Sequence, residues 1–254
     1  MDALRDVEHR PWPIPARRWV MTQTWHNLLF AHWPVNSEDL QSLIPSTLQL
    51  DTYEGQAWVG VIAFRLSKIR LRGLPEMPLV SRFPEVNVRT YVKVGDKPGV
   101  LFLSLDTDNT LAVALARPWF RLPYIPACMS FKQGKDRVHF KSRRCGRIIR
   151  DARFEADYCP CGPAYYAPPC TLESWLTERY CYYSVGRHGR TYRCEIHHPQ
   201  WRLQEARANI TENTMLLSHG ICPARDEPHL LYSHRMEALI WALRRTTDYG
   251  RQNT

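Results

Sequence analysis

The nine residues Val86–Val94, VNVRTYVKV, alternate without a break. Val86, Val88, Thr90, Val92 and Val94 fall on one side, and Asn87, Arg89, Tyr91 and Lys93 on the other. A period of two is the mark of an extended strand, because successive side chains leave a strand in opposite directions. The next five residues, Gly95, Asp96, Lys97, Pro98 and Gly99, are turn formers, and they lead into a second β-rich run, Val100–Leu105. Two strands joined by so short a link read as an antiparallel hairpin. Further out, Ala57–Phe64, Cys194–His198 and Leu203–Ile210 are β-rich as well. Sequential short strands with turns between them predict a mainly β (α+β) chain built on an antiparallel sheet or barrel, not on alternating βαβ units.

Helices are few and short in this reading. Asn36 is placed to cap Ser37–Ile44, with Asp39 three residues on and Pro45 at the end. A second helix starts near Thr171, carries Leu172, Trp175 and Leu176 at helical spacing, and ends about Arg179. A third, Leu111–Arg117, is expected to stop at Pro118. Residues 1–18, with Pro11, Pro13 and Pro15, read as an irregular arm on the surface, and 19–250 as a single domain.

Composition excludes several classes. With 254 residues, 44% hydrophobic and 23% charged, the chain is of globular type. It has no apolar run of membrane-spanning length, and its first residues have no export-signal pattern, so a cytoplasmic protein with reduced thiols is expected. The formal net charge of +9 comes from 28 Arg and 6 Lys against 25 acidic residues. Basic residues are densest from Arg137 to Arg153, where Val138, Phe140, Ile148 and Ile149 interrupt them. That pattern predicts a solvated hairpin rather than a nucleic-acid site, since no recognition motif accompanies it.

No phosphate-binding glycine loop, nucleophile elbow or zinc-protease helix occurs. Cys159 and Cys161 form a C-x-C pair, but a zinc site wants a second ligand pair. The adjacent His197 and His198 would point to opposite faces of a strand, so buried free thiols are expected, with neither metal nor cofactor. Trp25, His26, Phe30, His32 and Trp33 lie in an apolar stretch. They read as core with hydrogen-bonded histidines, the alternative being His32 and Trp33 at the mouth of a ligand pocket.

Seven segments in order, LLFAHWPV, LDTYEGQAWVGV, FPEVNVRTYV, FLSLD, TERYC, EIHHPQW and NTM, resemble the YqjF-like family of uncharacterised bacterial proteins, within the acetoacetate decarboxylase-like fold. The resemblance implies a conical β-barrel with a few short helices. Asp39–Asp51 is similar to the decarboxylase's early helix and Ile-Pro turn. Glu85 is placed like its active-site glutamate, and Asp108–Arg117 resembles the stretch that leads to its lysine loop. There the sequence departs: Arg117 and Pro123 match, but Tyr124 and Ile125 stand where the enzyme has two lysines, and Pro34 stands where it has a substrate-positioning arginine. Schiff-base chemistry needs an amine of lowered pKa, and Lys93, on the strand that carries Glu85, is the one substitute the sequence offers. The decarboxylase forms large oligomers, which makes homo-oligomerisation an open expectation.

Glu85, Asn87, Arg89, Tyr91 and Lys93 share one face of a strand, and that face is either the wet outside of the sheet or the lining of a cavity. The leading expectation is a cavity that binds a small anionic molecule such as a carboxylate, through Arg89 and Arg117 with Asn87 and His32 nearby. The alternative is lysine-independent acid/base chemistry on a keto or enol substrate, with Glu85 and Tyr124 as proton carriers.

Overall fold

The computed structural model describes residues 6–76, 81–145 and 151–246, without the side chains of 112, 115–117 and 187. The chain is mostly β. Its strands are β1 Met21–Val35, β2 Gln49–Leu50, β3 Ala57–Leu71, β4 Phe83–Val94, β5 Lys97–Thr107, β6 Tyr124–Gln133 and β7 Val138–Arg144. They continue with β8 Arg153–Tyr166, β9 Cys181–Val185, β10 Thr191–His197, β11 Arg202–Asn213, β12 His229–Ile240 and β13 Arg244–Arg245. Three short helices, α1 Ser37–Gln41, α2 Thr110–Phe120 and α3 Leu172–Thr177, lie between them. None of the described helices is long and apolar enough to cross a membrane.

The hairpin read from the sequence is present as β4–β5, with Val94 opposite Lys97 and Gly95 turning at φ +61°. That left-handed φ suits a residue without a Cβ. Asn36 caps α1 by accepting from the Glu38 N–H at 3.0 Å, and Thr171 caps α3 by accepting from the Ser174 N–H at 3.3 Å. Both helices end earlier than expected, at Gln41 and Thr177. α2 instead runs past its expected stop, through Pro118 to Phe120. Proline forfeits one hydrogen bond there, and with so little helix left to follow, a single missing bond does not break it.

The sheet also departs from a purely antiparallel plan. β5 pairs in parallel with both β6 and β9. A parallel pair needs a long crossover, usually helical, and α2 supplies it between β5 and β6. Pairings run from β4 to β5, β9, β10, β12, β1 and β3 and return to β4, a closed circuit. A second path leaves β5 through β6, β7, β8 and β11 and rejoins at β12. β4 and β5 therefore carry a neighbouring layer on each face. Val86, Val88 and Val92 pack with Phe140, Phe154 and Tyr158 in the largest apolar cluster. The opposite face of β4 turns into the circuit.

In the basic stretch, His139, Lys141 and Arg143 point outward from β7, as expected of a solvated hairpin, while Val138, Phe140 and Ser142 are buried. Arg144 departs from that expectation. It is buried, donating to Asp106 on β5 at 2.7 and 3.2 Å, to Ser104 at 2.7 Å and to Ser218 at 3.1 Å. Arg147 and Arg150 lie outside the described residues. The thiols also differ from expectation. Cys181 and Cys194 are buried, but Cys159 and Cys161 are half-buried, because this end of β8 runs beyond the core.

The described part of the arm, from residue 6, has neither helix nor strand, yet it is anchored rather than laid loosely on the surface. Arg10 is 8% exposed and donates to the Ile196 carbonyl at 2.8 Å. The Trp12 indole donates to Glu195 at 2.9 Å.

Candidate functional site

The circuit encloses a cavity of about 550 Å³. Its wall is largely apolar and aromatic, including Trp25, Phe30, Phe64, Phe83, Phe102 and Trp201. Four of the residues singled out from the sequence line it: Glu85, Asn87 and Arg89 from one face of β4, and Tyr124 from the start of β6. The face left open by the alternation is thus the cavity face. Glu85 is 3% exposed and Asn87 4%. Tyr124 reaches Glu85 because the parallel register sets it beside Leu105, which itself stands opposite Asn87.

The Tyr124 hydroxyl donates to Glu85 Oε2 at 2.9 Å, and Asn87 Nδ2 donates to Oε1 at 3.3 Å. Burial pushes the Glu85 carboxyl up to about 7, since a charge in an apolar wall is poorly solvated; the two hydrogen bonds pull the other way, and Asp106 adds a small upward push. The Tyr124 hydroxyl is raised well above its ordinary value by burial and by the neighbouring Glu85. The result is a carboxyl poised near neutrality with a phenol proton held on it, a pair able to give or take a proton at a bound molecule.

The cations lie further along the cavity. Arg89 Nη2 donates to the Leu176 carbonyl at 3.0 Å, and its guanidinium sits 5.6 Å from the Phe30 ring centre and 5.7 Å from that of Tyr91. Among the described residues no carboxylate pairs with it, and its Nε is buried with no hydrogen-bond partner. Arg179, which the sequence reading did not single out, lines the same cavity. It is anchored by Asp51 at 2.7 Å and by the Trp175 carbonyl at 2.7 Å, while Nη2 is left buried and unpartnered. Burial, with a contribution from Arg89, lowers its pKa. In the sequence Arg179 figures only as the approximate end of the second helix and within the TERYC segment. Its position depends on α3 and on the distant β5–β9 pairing, which periodicity does not reveal.

Two expectations fall elsewhere. His32 is fully buried and is not part of the lining; it packs behind Tyr91, whose oxygen lies 2.7 Å from Nε2. Because that hydroxyl donates to the Leu176 carbonyl at 2.9 Å, Nε2 carries the proton and donates to Tyr91. Burial holds the ring neutral, well below the ordinary histidine range. Gly60 makes room for it: a Cβ there would stand 2.7 Å from His32 Cδ2. His32 therefore sits in the core behind Tyr91 and outside the cavity lining. Arg117 belongs to α2, but its side chain lies outside the described residues.

Comparison with known proteins agrees with this fold. The model of the DUF2071 family, described as an uncharacterized conserved protein, matches residues 22–237. The uncharacterized protein YqjF of Bacillus subtilis (strain 168) is 43% identical over 232 residues, covering 91% of this chain and 95% of that protein. Among solved structures, the enduracididine biosynthesis enzyme MppR complexed with pyruvate superposes with a TM-score of 0.62 at 11% identity, over 95% of this chain and 94% of that one. Acetoacetate decarboxylase from Legionella pneumophila gives 0.62 at 12%, over 96% and 94%. An acetoacetate decarboxylase-like enzyme from Sphingomonas wittichii RW1 gives 0.60 at 13%, over 93% and 97%. At such identities these likenesses speak for the fold alone. The chain, with an acetoacetate decarboxylase-like fold, belongs to the DUF2071 family of uncharacterized proteins.

Proposed function

We propose that the cavity binds a carboxylate, received by Arg89 and Arg179, and that it works without a Schiff-base lysine. The observation that carries this reading is Arg89: a guanidinium in an apolar wall, with a buried unpartnered N–H and, among the described residues, no carboxylate paired with it. Such a cation is costly unless an anion completes it, and Arg179, which lines the same cavity, likewise has a buried N–H without a partner. In support of the lysine-free part, none of Lys68, Lys93, Lys97, Lys132, Lys135 and Lys141 is among the lining residues. A protein of the same fold, the enduracididine biosynthesis enzyme MppR, is complexed with pyruvate, an oxo acid. Arg89→Met keeps the apolar stem and removes the charge. It should weaken carboxylate binding at least ten-fold by calorimetry, with the far-ultraviolet spectrum unchanged; equal affinity would sink the assignment. Borohydride treatment with oxo acids should trap no lysine adduct, and an adduct mapped to any of the six would restore an iminium route.

A second reading, lysine-independent acid/base catalysis, is favoured by one specific feature, the Tyr124–Glu85 hydrogen bond inside the cavity. On this reading Glu85 exchanges a proton with the carbon or oxygen next to a carbonyl, and Tyr124 sets its basicity. Proton–deuterium exchange at carbons next to the carbonyl of an oxo acid, followed by NMR, should be catalysed by the wild type and lost in Glu85→Gln.

A further inference from the structure

We infer that the ligand is an elongated, apolar monocarboxylate, a medium-chain or arylalkyl acid rather than a three- or four-carbon oxo acid. The inference rests on the carboxylate reading of Arg89 and Arg179 and adds what lies at the other end of the molecule. Size is the first argument. At roughly 30 Å³ per carbon-sized group, a cavity of about 550 Å³ has room for on the order of 15 heavy atoms. A four-carbon oxo acid would leave more than half of that space empty.

The second argument is the separation of the polar groups. Glu85 and Arg89 are four residues apart on one face of β4, about 13 Å along the strand at roughly 3.3 Å per residue. The Arg89 guanidinium lies between the Phe30 and Tyr91 rings, 5.6 and 5.7 Å from their centres, and donates to the Leu176 carbonyl. A three- or four-carbon acid covers less than half of the strand separation, whereas an extended one covers most of it.

The third is the distribution of exposure. At the arginine end Arg179 is 6% exposed and Arg89 is half-buried, while the open rim is apolar: Trp119 is 62% exposed and Leu74 54%. A ligand that leaves its charged head inside and presents apolar surface to Trp119 and Leu74 matches this order. The reverse orientation would bury a polar end against hydrocarbon.

The test is calorimetric titration of the full chain with butanoate, hexanoate, octanoate and decanoate below their micellar concentrations, with 1-octanol as the uncharged counterpart. Affinity should rise about four-fold per methylene until the cavity is filled, as burial of hydrocarbon requires. Octanol should bind at least ten-fold more weakly than octanoate. Trp119→Ala, a change at an exposed rim residue, should weaken decanoate several-fold and leave butanoate unchanged. Equal affinity across the series would overturn the elongated ligand while leaving the carboxylate reading in place. Octanol binding as tightly as octanoate would overturn the carboxylate end, and with it the proposed function. Failure of every acid to bind would overturn both.

Discussion

Glu85 holds its proton more tightly in the folded chain, at about 7, than a free glutamate does at 4.5. Between those values the folded state keeps a proton that the unfolded state has lost. The corresponding stability is fully present below about pH 4.5 and fades as pH rises through 7. At 1.4 kcal/mol per pH unit the gap is worth roughly 3 kcal/mol. Glu85→Gln is neutral throughout, so urea denaturation from pH 5 to 8 should show the wild type losing stability relative to the variant across that window. Parallel curves would mean that the carboxyl is not perturbed. Tyr124→Phe bears on the same equilibrium from the other side. The phenol donates to the carboxylate and favours the charged form, so its removal should move the midpoint of the transition upward in pH.

At the scale of elements, β5 is the strand on which the layers meet, and the Asp106–Arg144 pair ties it to β7. Asp106 is fully buried, and Arg144 spends its donors on Asp106, Ser104 and Ser218. Removing one member leaves a buried charge without its partner. Arg144→Met should therefore cost about 3–5 kcal/mol in chemical denaturation, and the Asp106→Leu/Arg144→Met double variant should recover part of that loss. Additive losses in the double-mutant cycle would show that the two side chains are energetically independent. The sequence discloses only half of this arrangement. Alternation in Val86–Val94 places β4 and its hairpin, because the period is local. It cannot say that the polar face is buried, since charged residues at period two look the same whether they meet water or a cavity. Arg144 was read as part of a wet basic run for the same reason: its partner is on a strand 38 positions away. Arg179 stayed hidden because a single arginine after a short helix carries no periodic signal.

Over the whole molecule, part of the packing comes from a segment without secondary structure. The N-terminal arm lies against β10 and the chain around Tyr180, next to the residues that set Arg179. Arg10 donates to the Ile196 carbonyl, contacts Glu195 at 3.6 Å and stacks 4.6 Å from the Tyr180 ring centre, while His9 Nε2 bonds the His198 carbonyl at 2.9 Å. His198 lines the cavity, and burial lowers it to about 3, so the ring is neutral; its Nε2 approaches the Arg179 carbonyl at 3.4 Å. The arm is thus coupled to the cation end of the cavity through a short chain of contacts. Deleting residues 1–18 removes a buried guanidinium, the Trp12 bond to Glu195 and the His9 bond to His198. At 2–4 °C per kcal/mol for a chain of this size, the loss of a few such contacts should lower Tm by about 5–10 °C. The truncated chain should also bind octanoate more weakly than the full chain at a temperature where both are folded, because Arg179 loses part of its support. Octanoate affinity that is unchanged alongside a lowered Tm would confine the arm to stability; an unchanged Tm would mean that its anchoring contacts contribute nothing in solution.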